Sequence, residues 1–298
     1  MRRTTAVFGL GSMGMGMATS LLRAGHTTYG FDVSDDAVSR FTDSGGASGA
    51  VEAVAPECDA VAVVVLNAAQ TESVLFGENG VVPHLKAGAV VLASATVPPA
   101  FARDMAARCD AHGVHYLDAP ISGGAKKSAE GALSVMAAGT PDAFAAAKPV
   151  LDAVATTVFE LGDTAGAGSA MKAVNQLLAG VHIATMAEAM TFGMTQGVTP
   201  DKFLEVISQC AGTSWMLENR APHIVDGDYT PHSAVDIWPK DLGIVLDIAR
   251  DAKFAAPITA AALQQFLAAS GRGLGREDDA AVAKVYAENA GLTLPGES

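Results

Sequence analysis

Gly9-Leu10-Gly11-Ser12-Met13-Gly14 is the stretch that decides how this chain folds. Ahead of it, Thr4-Thr5-Ala6-Val7-Phe8 is β-branched and apolar, which predicts a first buried strand. Behind it, Met13 to Arg23 reads as a helix with Met15, Ala18, Leu21 and Leu22 along an apolar stripe. A G-x-G-x-x-G pattern between a strand and a helix predicts a dinucleotide site, whereas the bare pattern leaves an ordinary glycine turn open. Each glycine has its own reason. Gly9 permits a tight turn, Gly11 lets the backbone approach a pyrophosphate, and Gly14 allows the helix to pack closely on the strand. The helix start offers amides and a positive dipole end to the phosphates, so Leu10, Ser12 and Met13 join the glycines as cofactor-binding candidates.

Thr27 to Phe31 (TTYGF) predicts the second strand, and Asp32 stands at its end, 18 positions after Gly14. An acidic residue at about that distance, ~20 residues on, hydrogen-bonds the adenosine ribose and repels a 2′-phosphate. The next residues, Val33, Ser34, Asp35 and Asp36, include no arginine to receive such a phosphate. NAD is therefore the expected cofactor, rather than NADP. Ser34 or Asp35 also suits the cap of the following helix.

With 298 residues the chain suits two domains or one large one. Half of the residues are apolar, which suggests helices buried between subunits. No run of 18 or more residues is uninterruptedly apolar, so a membrane span is not expected. The N-terminus enters the first strand directly and places glycines where a signal peptide would be apolar, which predicts a cytoplasmic protein. Cys58, Cys109 and Cys210 show no metal-ligand spacing and fit a reducing compartment, so no metal is expected. A net charge of −13 argues against nucleic acid as a partner. An anionic substrate would then depend on a local cluster of lysines and amides.

Short valine-rich runs at 60–66, 89–93, 114–117 and 133–138 alternate with helical patterns at 34–44, 71–75 and 99–112. Such alternation predicts an α/β fold with a doubly wound, mostly parallel sheet. From the glycine-rich segment at 162–168 onward the chain reads as helix, beginning with a long one at about 169–196. Further helices are expected at 200–209, 214–219, 239–251 and 257–271, several opened by proline or serine.

Three clusters could carry chemistry. Asp118-Ala119-Pro120-Ile121-Ser122-Gly123-Gly124 follows a strand end, where doubly wound sheets bind ligands. Its serine and unobstructed glycine amides suit a carboxylate, with a plain glycine turn as the alternative. Lys172, Asn175 and Gln176 share one helix face at i, i+3 and i+4. A lysine on an otherwise apolar helix needs a reason, the alternative being a snorkelling surface residue. Lys240-Asp241-Leu242 by itself reads as a solvated ion pair.

The order of these motifs carries a resemblance. GLGSMG near the start, DAPISGG in the middle, GAGSAMKAVNQ opening a long helix and a later KDL together resemble the β-hydroxyacid dehydrogenases, over nearly the whole chain. That family includes 3-hydroxyisobutyrate dehydrogenase, tartronate semialdehyde reductase and 6-phosphogluconate dehydrogenase. QLLAGVHIA at 176–184, WMLENR at 215–220, DGDYTPHSAVDI at 226–237 and GREDDAAVAK at 275–284 are similar to its L-threonate-oxidising branch. The chain departs from that branch at Asn175, where the branch has histidine. Hydroxyisobutyrate-type members have two asparagines where this chain has Asn175 and Gln176.

The resemblance implies a Rossmann NAD-binding domain over residues 1–163 and an all-α domain over 164–298 that serves substrate binding and oligomer formation as a homodimer or homotetramer. It implies Lys172 as catalytic acid and base, and Ser122, Gly123 and Gly124 as binders of the substrate carboxylate. It makes Asn175 a substrate contact, with Gln176 beside it as a further substrate-binding candidate. Leu66, Asn67, Thr96 and Lys240 match cofactor-contacting positions. The expected activity is NAD-dependent oxidation of a small hydroxy acid, L-threonate first, with a 3-hydroxyisobutyrate or tartronate semialdehyde activity as the alternative. An imine reductase is disfavoured because those relatives generally lack the lysine. Retention of that lysine also disfavours a nucleotide-sensing scaffold without turnover.

Overall fold

The computed structural model describes residues 2–297 and divides into two compact units, residues 1–172 and 173–298. The first unit opens with β1 (Thr4–Phe8), α1 (Ser12–Arg23), β2 (Thr27–Phe31), α2 (Asp35–Asp43) and the single turn α3 (Val51–Val54). It continues through β3 (Ala60–Val63), α4 (Ala68–Phe76), β4 (Val90–Ala93), α5 (Pro99–Asp110) and β5 (His115–Asp118). The five strands form one parallel sheet in the order β2-β1-β3-β4-β5. Every residue of β3 and β4 is buried, as expected of strands covered by helices on both faces. The doubly wound reading of the sequence holds.

The rest of this unit comprises β6 (Ile121–Ser122), α6 (Gly124–Glu130), β7 (Leu133–Ala137), α7 (Pro141–Val154) and β8 (Ala155–Glu160). Here β7 pairs antiparallel with β6 and parallel with β8, a separate three-stranded sheet. Reciprocal amide bonds between Asp118 and Ala138, at 3.0 and 2.9 Å, join it to the end of β5. β8 is an addition to the strands read from sequence. Its residues ATTVFE bury no alternate face, so no period of two was there to find. β3 ends at Val63 rather than 66, because Val64 turns toward the glycine loop: a Cβ on Gly9 would lie 2.3 Å from its carbonyl oxygen.

The division between units falls inside α8 (Ala167–Thr195), whose first residues are held by the end of β5. Length and composition would let α8 cross a membrane: it has 29 residues, a window of mean hydropathy 1.3, and 39% of that window buried. The second unit continues with α9 (Pro200–Ile207), α10 (Trp215–Asp226), α11 (Ile237–Asp251), α12 (Pro257–Ala269) and α13 (Val282–Asn289). α10 does not stop at Asn219. It runs through Pro222 to Asp226 and closes on Gly227, whose φ of +65° suits a helix C-terminus. Ile183, Met186, Met190, Ile224, Leu242 and Phe266 fill the core of this unit, where Trp238 stacks on Phe266 at 5.6 Å.

The WMLENR and GREDDAAVAK segments meet in that core. Arg220 Nε lies 2.5 Å from Asp279 Oδ1, and Trp238 Nε1 donates to Asp279 Oδ2 at 2.9 Å. The His232 amide donates to Asp278 Oδ2 at 2.9 Å. Burial, opposed by the Arg220 charge, pushes the Asp279 carboxyl above its ordinary range. Buried charges that are paired and hydrogen-bonded in this way tie α10 and α11 to the turn before α13. These motifs are therefore accounted for by structure.

Candidate active site

The candidate cofactor residues of the first unit lie where its parallel strands end. Gly9 follows β1, Asp32 follows β2, Leu66 and Asn67 follow β3, and Thr96 follows β4. Strand order reverses between β1 and β3, the position at which open α/β sheets form a ligand crevice. The three glycines meet three different surroundings. Gly9 has φ +95° and abuts Val64. Gly14 packs so tightly that a Cβ would lie 1.7 Å from the Gly9 carbonyl oxygen, whereas a Cβ on Gly11 would meet nothing within 4 Å. Two glycines are thus demanded by packing, and the third faces open space ahead of the N-terminus of α1. That is the space a pyrophosphate needs, so these residues fit a dinucleotide.

Asp32 is held on both oxygens. Oδ2 accepts from the Leu10 amide at 2.6 Å and Oδ1 from the Ser34 amide at 2.8 Å. Its carboxylate is thereby fixed beside the glycine loop, and the adjoining Val33 is fully exposed. The main chain of Ser12 and Met13 forms the first turn of α1, and the Met13 carbonyl accepts from Ser128 Oγ at 2.6 Å. On the β3 side, the Leu66 amide donates to Gln70 Oε1 at 2.9 Å, and Asn67 Oδ1 caps α4 by accepting from the Gln70 amide at 2.9 Å. Thr96 is half-buried.

At the end of β5, Asp118 organises the second group. It is 1% exposed. Its Oδ2 accepts from the amides of Gly166 and Ser169 at 2.8 and 2.9 Å, and its Oδ1 from Ser169 Oγ at 2.7 Å. Burial raises this carboxyl above its ordinary range, against the pull of those hydrogen bonds. The orphan amides at the start of α8 have found a charged acceptor, the favourable sign for a helix N-terminus. One turn further along α8, Lys172 is half-buried and its Nζ donates to the Ile121 carbonyl at 2.9 Å. Lys172 is thus brought to the segment Ser122-Gly123-Gly124. Gly123 has φ +134°, and the stem of Lys127 crosses it closely enough that a Cβ would lie 2.9 Å from Lys127 Cδ. Gly124 has φ +74° and open space where a Cβ would stand. The helix they open, α6, is fastened to α1: Ser128 Oγ reaches Met13, and Arg23 donates to the Ala129 carbonyl at 2.6 Å.

In the second unit, Asn175 Nδ2 donates to Gln176 Oε1 at 3.0 Å, and Gln176 Nε2 donates to Asp241 Oδ2 at 2.5 Å. Lys240 Nζ lies 2.7 Å from Asp241 Oδ1. Gln176 and Asp241 are buried, at 7% and 3% exposure, while Asn175 is half-buried. The structure therefore gathers the glycine loop, Asp32, Leu66, Asn67, Thr96, Ser122–Gly124 and Lys172 in the first unit, and Asn175, Gln176 and Lys240 in the second.

Asp118 and Asp241 were not picked out from sequence as organising residues. Asp241 does carry a legible signal: it falls on the stripe of Trp238, Leu242, Val245 and Ala249 that α11 buries, where a carboxylate needs partners. Asp118 carries less, since an aspartate after a buried strand is as readily a turn residue. Among the described residues no group of three or more His, Cys, Asp or Glu is placed to hold a metal.

Comparison with known proteins gives a consistent assignment. Residues 4–162 match the family described as the NAD binding domain of 6-phosphogluconate dehydrogenase. Residues 166–286 match the family described as NAD-binding of NADP-dependent 3-hydroxyisobutyrate dehydrogenase. The chain is 50% identical to an L-threonate dehydrogenase of Cupriavidus necator, over all of both chains. It is 48% identical to an L-threonate dehydrogenase of Escherichia coli K12, covering 97% of this chain and 96% of the relative. Among solved structures, a 3-hydroxyisobutyrate dehydrogenase of Salmonella typhimurium is 48% identical with a TM-score of 0.89, covering 95% of this chain and 99% of the other.

Proposed function

Because the chain belongs to the hydroxyacid dehydrogenase family, as an NAD(P)-dependent enzyme for small hydroxy acids, we propose that it oxidises L-threonate to the 2-oxo acid with NAD. The observation that carries this reading is the hydrogen bond from Lys172 Nζ to the Ile121 carbonyl, which seats the amine beside Ser122, Gly123 and Gly124. Ser122 Oγ and the two glycine amides hold the substrate carboxylate. When bound, NAD supplies the acceptor for the hydride from C2. Lys172, as a neutral amine, takes the hydroxyl proton as the carbon–oxygen bond becomes double, and its ammonium returns that proton in the reverse direction. Asn175 meets the substrate one turn further along the same helix.

The dinucleotide lies with its pyrophosphate at Gly9–Gly14, and Leu66, Asn67, Thr96 and Lys240 complete its contacts. NAD is favoured over NADP by Asp32, whose fixed carboxylate would face a 2′-phosphate as a like charge, and by Val33, which offers no cation.

Steady-state oxidation of L-threonate, 3-hydroxyisobutyrate and glycerate, the alcohol that tartronate semialdehyde yields on reduction, followed by the absorbance of reduced nicotinamide, tests the substrate. L-Threonate should give the highest kcat/KM. The second reading, a 3-hydroxyisobutyrate activity, is favoured by the 48% identity to the Salmonella 3-hydroxyisobutyrate dehydrogenase, and a higher kcat/KM with that acid would establish it.

The second unit leaves Leu178 and Phe192 of α8 and Ile258 and Leu267 of α12 exposed, an apolar surface that suits a homodimer or homotetramer. Light scattering that reports a monomer would overturn this. The enzyme works in the cytoplasm. Burial pushes the thiols of Cys58 and Cys109 up to about 11 and about 12, which leaves both unreactive there.

A further inference from the structure

The hydrogen bonds from Asp241 to Asn175 have a direction. A carboxylate only accepts, so the buried Gln176 amide must turn its Nε2 toward Asp241. Its Oε1 then faces Asn175, which must answer with Nδ2. The other carboxylate oxygen of Asp241 lies 2.7 Å from the Lys240 ammonium, an ion pair within the same helix. The end of Asn175 left to present is its carbonyl Oδ1. Among the described residues this oxygen accepts no hydrogen bond.

We propose that Asp241, acting through Gln176, fixes Asn175 as a hydrogen-bond acceptor, and that this selects acids carrying a second hydroxyl beside the one oxidised. The inference rests on the function proposed above and narrows it to a substrate class. An acid with a single hydroxyl loses that proton to Lys172 and leaves Asn175 Oδ1 without a donor. A polyhydroxy acid brings a further O–H to it. A group that could only accept would meet the wrong end of the amide. Asp241 and Gln176 are positioning residues in this scheme, and Asn175 is the residue that touches substrate.

The test compares kcat/KM for L-threonate and for 2,4-dihydroxybutanoate, which lacks the hydroxyl at C3. Wild-type enzyme should prefer L-threonate by about tenfold or more, since a site built to bond a hydroxyl rejects the analogue without it. Gln176→Met removes the relay without adding charge, and it should bring that ratio down to within about threefold of unity while KM for NAD stays within about twofold. Asn175→Leu should lose the preference too. Asn175→His should recover most of it, because a neutral imidazole can donate to Gln176 with one nitrogen and accept with the other. Thermal unfolding confirms that each variant is folded.

A folded Gln176→Met enzyme that keeps the wild-type ratio overturns the inference, as does a wild type without preference between the two acids. Inactivity of the wild type on L-threonate would instead defeat the function proposed above. The comparison would then use the polyhydroxy acid oxidised best and its deoxy analogue, and if no polyhydroxy acid is oxidised the inference falls as well.

Discussion

Asp118 holds Ser169 twice, one carboxylate oxygen accepting from its amide at 2.9 Å and the other from its hydroxyl at 2.7 Å. Ser169 lies one turn before Lys172 on α8, so this pair fixes where the helix begins against the end of β5. The Lys172 amine arrives at Ile121 as a consequence. A carboxylate that touches no candidate substrate residue thereby positions the proposed base.

Asp118→Ala should destabilise the protein by about 3 kcal/mol, because buried amides at the start of α8 lose their acceptor. It should also lower kcat through displacement of Lys172. Asp118→Asn should cost much less, since an amide oxygen can still accept from both amides while its nitrogen donates to Ser169 Oγ. Urea denaturation of the two variants beside wild type checks this. Equal stability of Asp118→Ala and wild type would remove Asp118 from its anchoring role.

Two buried or half-buried carboxylates should give stability opposite pH dependences. Burial raises the Asp118 carboxyl, so its contribution is full below the unfolded value and is lost as pH rises through the folded value. At Asp59 burial pushes upward as well, but Lys86 Nζ at 2.8 Å, the Thr4 amide at 3.0 Å and the charges of Lys86 and Arg3 together pull its carboxyl below the ordinary range. Its contribution is present above the unfolded value and is lost as pH falls through the folded one. Relative to wild type, Asp118→Asn should therefore gain stability as pH rises, and Asp59→Asn should lose it. Denaturation midpoints above pH ~4 report the Asp118 slope and those below pH ~4 the Asp59 slope, since both groups have ordinary values near ~3.9 and are shifted to opposite sides of it.

Lys172→Met should lower kcat by about a hundredfold or more, the scale expected for loss of a general acid–base group. NAD should still bind, measured by fluorescence titration, because the glycine loop does not depend on the amine. A folded variant that binds NAD and turns over near the wild-type rate would relegate Lys172 to an anchor.

With wild-type enzyme, kcat/KM for NAD should exceed that for NADP by about tenfold, a difference of ~1.4 kcal/mol. Asp32→Asn with Val33→Arg should narrow or reverse that preference by replacing the like charge with a cation. Equal efficiencies in the wild type would dismiss Asp32 as the ribose ligand.

Gly123→Val should raise KM for the acid far more than KM for NAD. The valine would be strained at φ +134° and would collide with the stem of Lys127. Gly124→Ala is the milder companion, since its Cβ enters open space and only the φ of +74° opposes it. Parallel rises in both KM values would mark this segment as scaffolding for the whole unit.

The local sequence determined the parts of this protein whose reasons are local. G-x-G-x-x-G between β1 and α1, Asp32 at the end of β2, and valine runs too apolar for anything but a covered parallel sheet each needed only neighbours in the chain. The five-stranded sheet and the long α8 follow from those patterns. β8 was not legible, because a strand exposed on most of its residues shows no period of burial. Nor were the separate second sheet and the passage of α10 through Pro222.

Tertiary structure alone decided which polar groups meet. Asp118 and Ser169 are 51 residues apart, and Gln176 and Asp241 are 65 apart. No composition or spacing pairs them. Inside a low-dielectric core, a buried carboxylate must be met by donors wherever the fold brings them. That requirement seats Lys172 and sets the polarity of Asn175, and it acts only once the chain has closed around it.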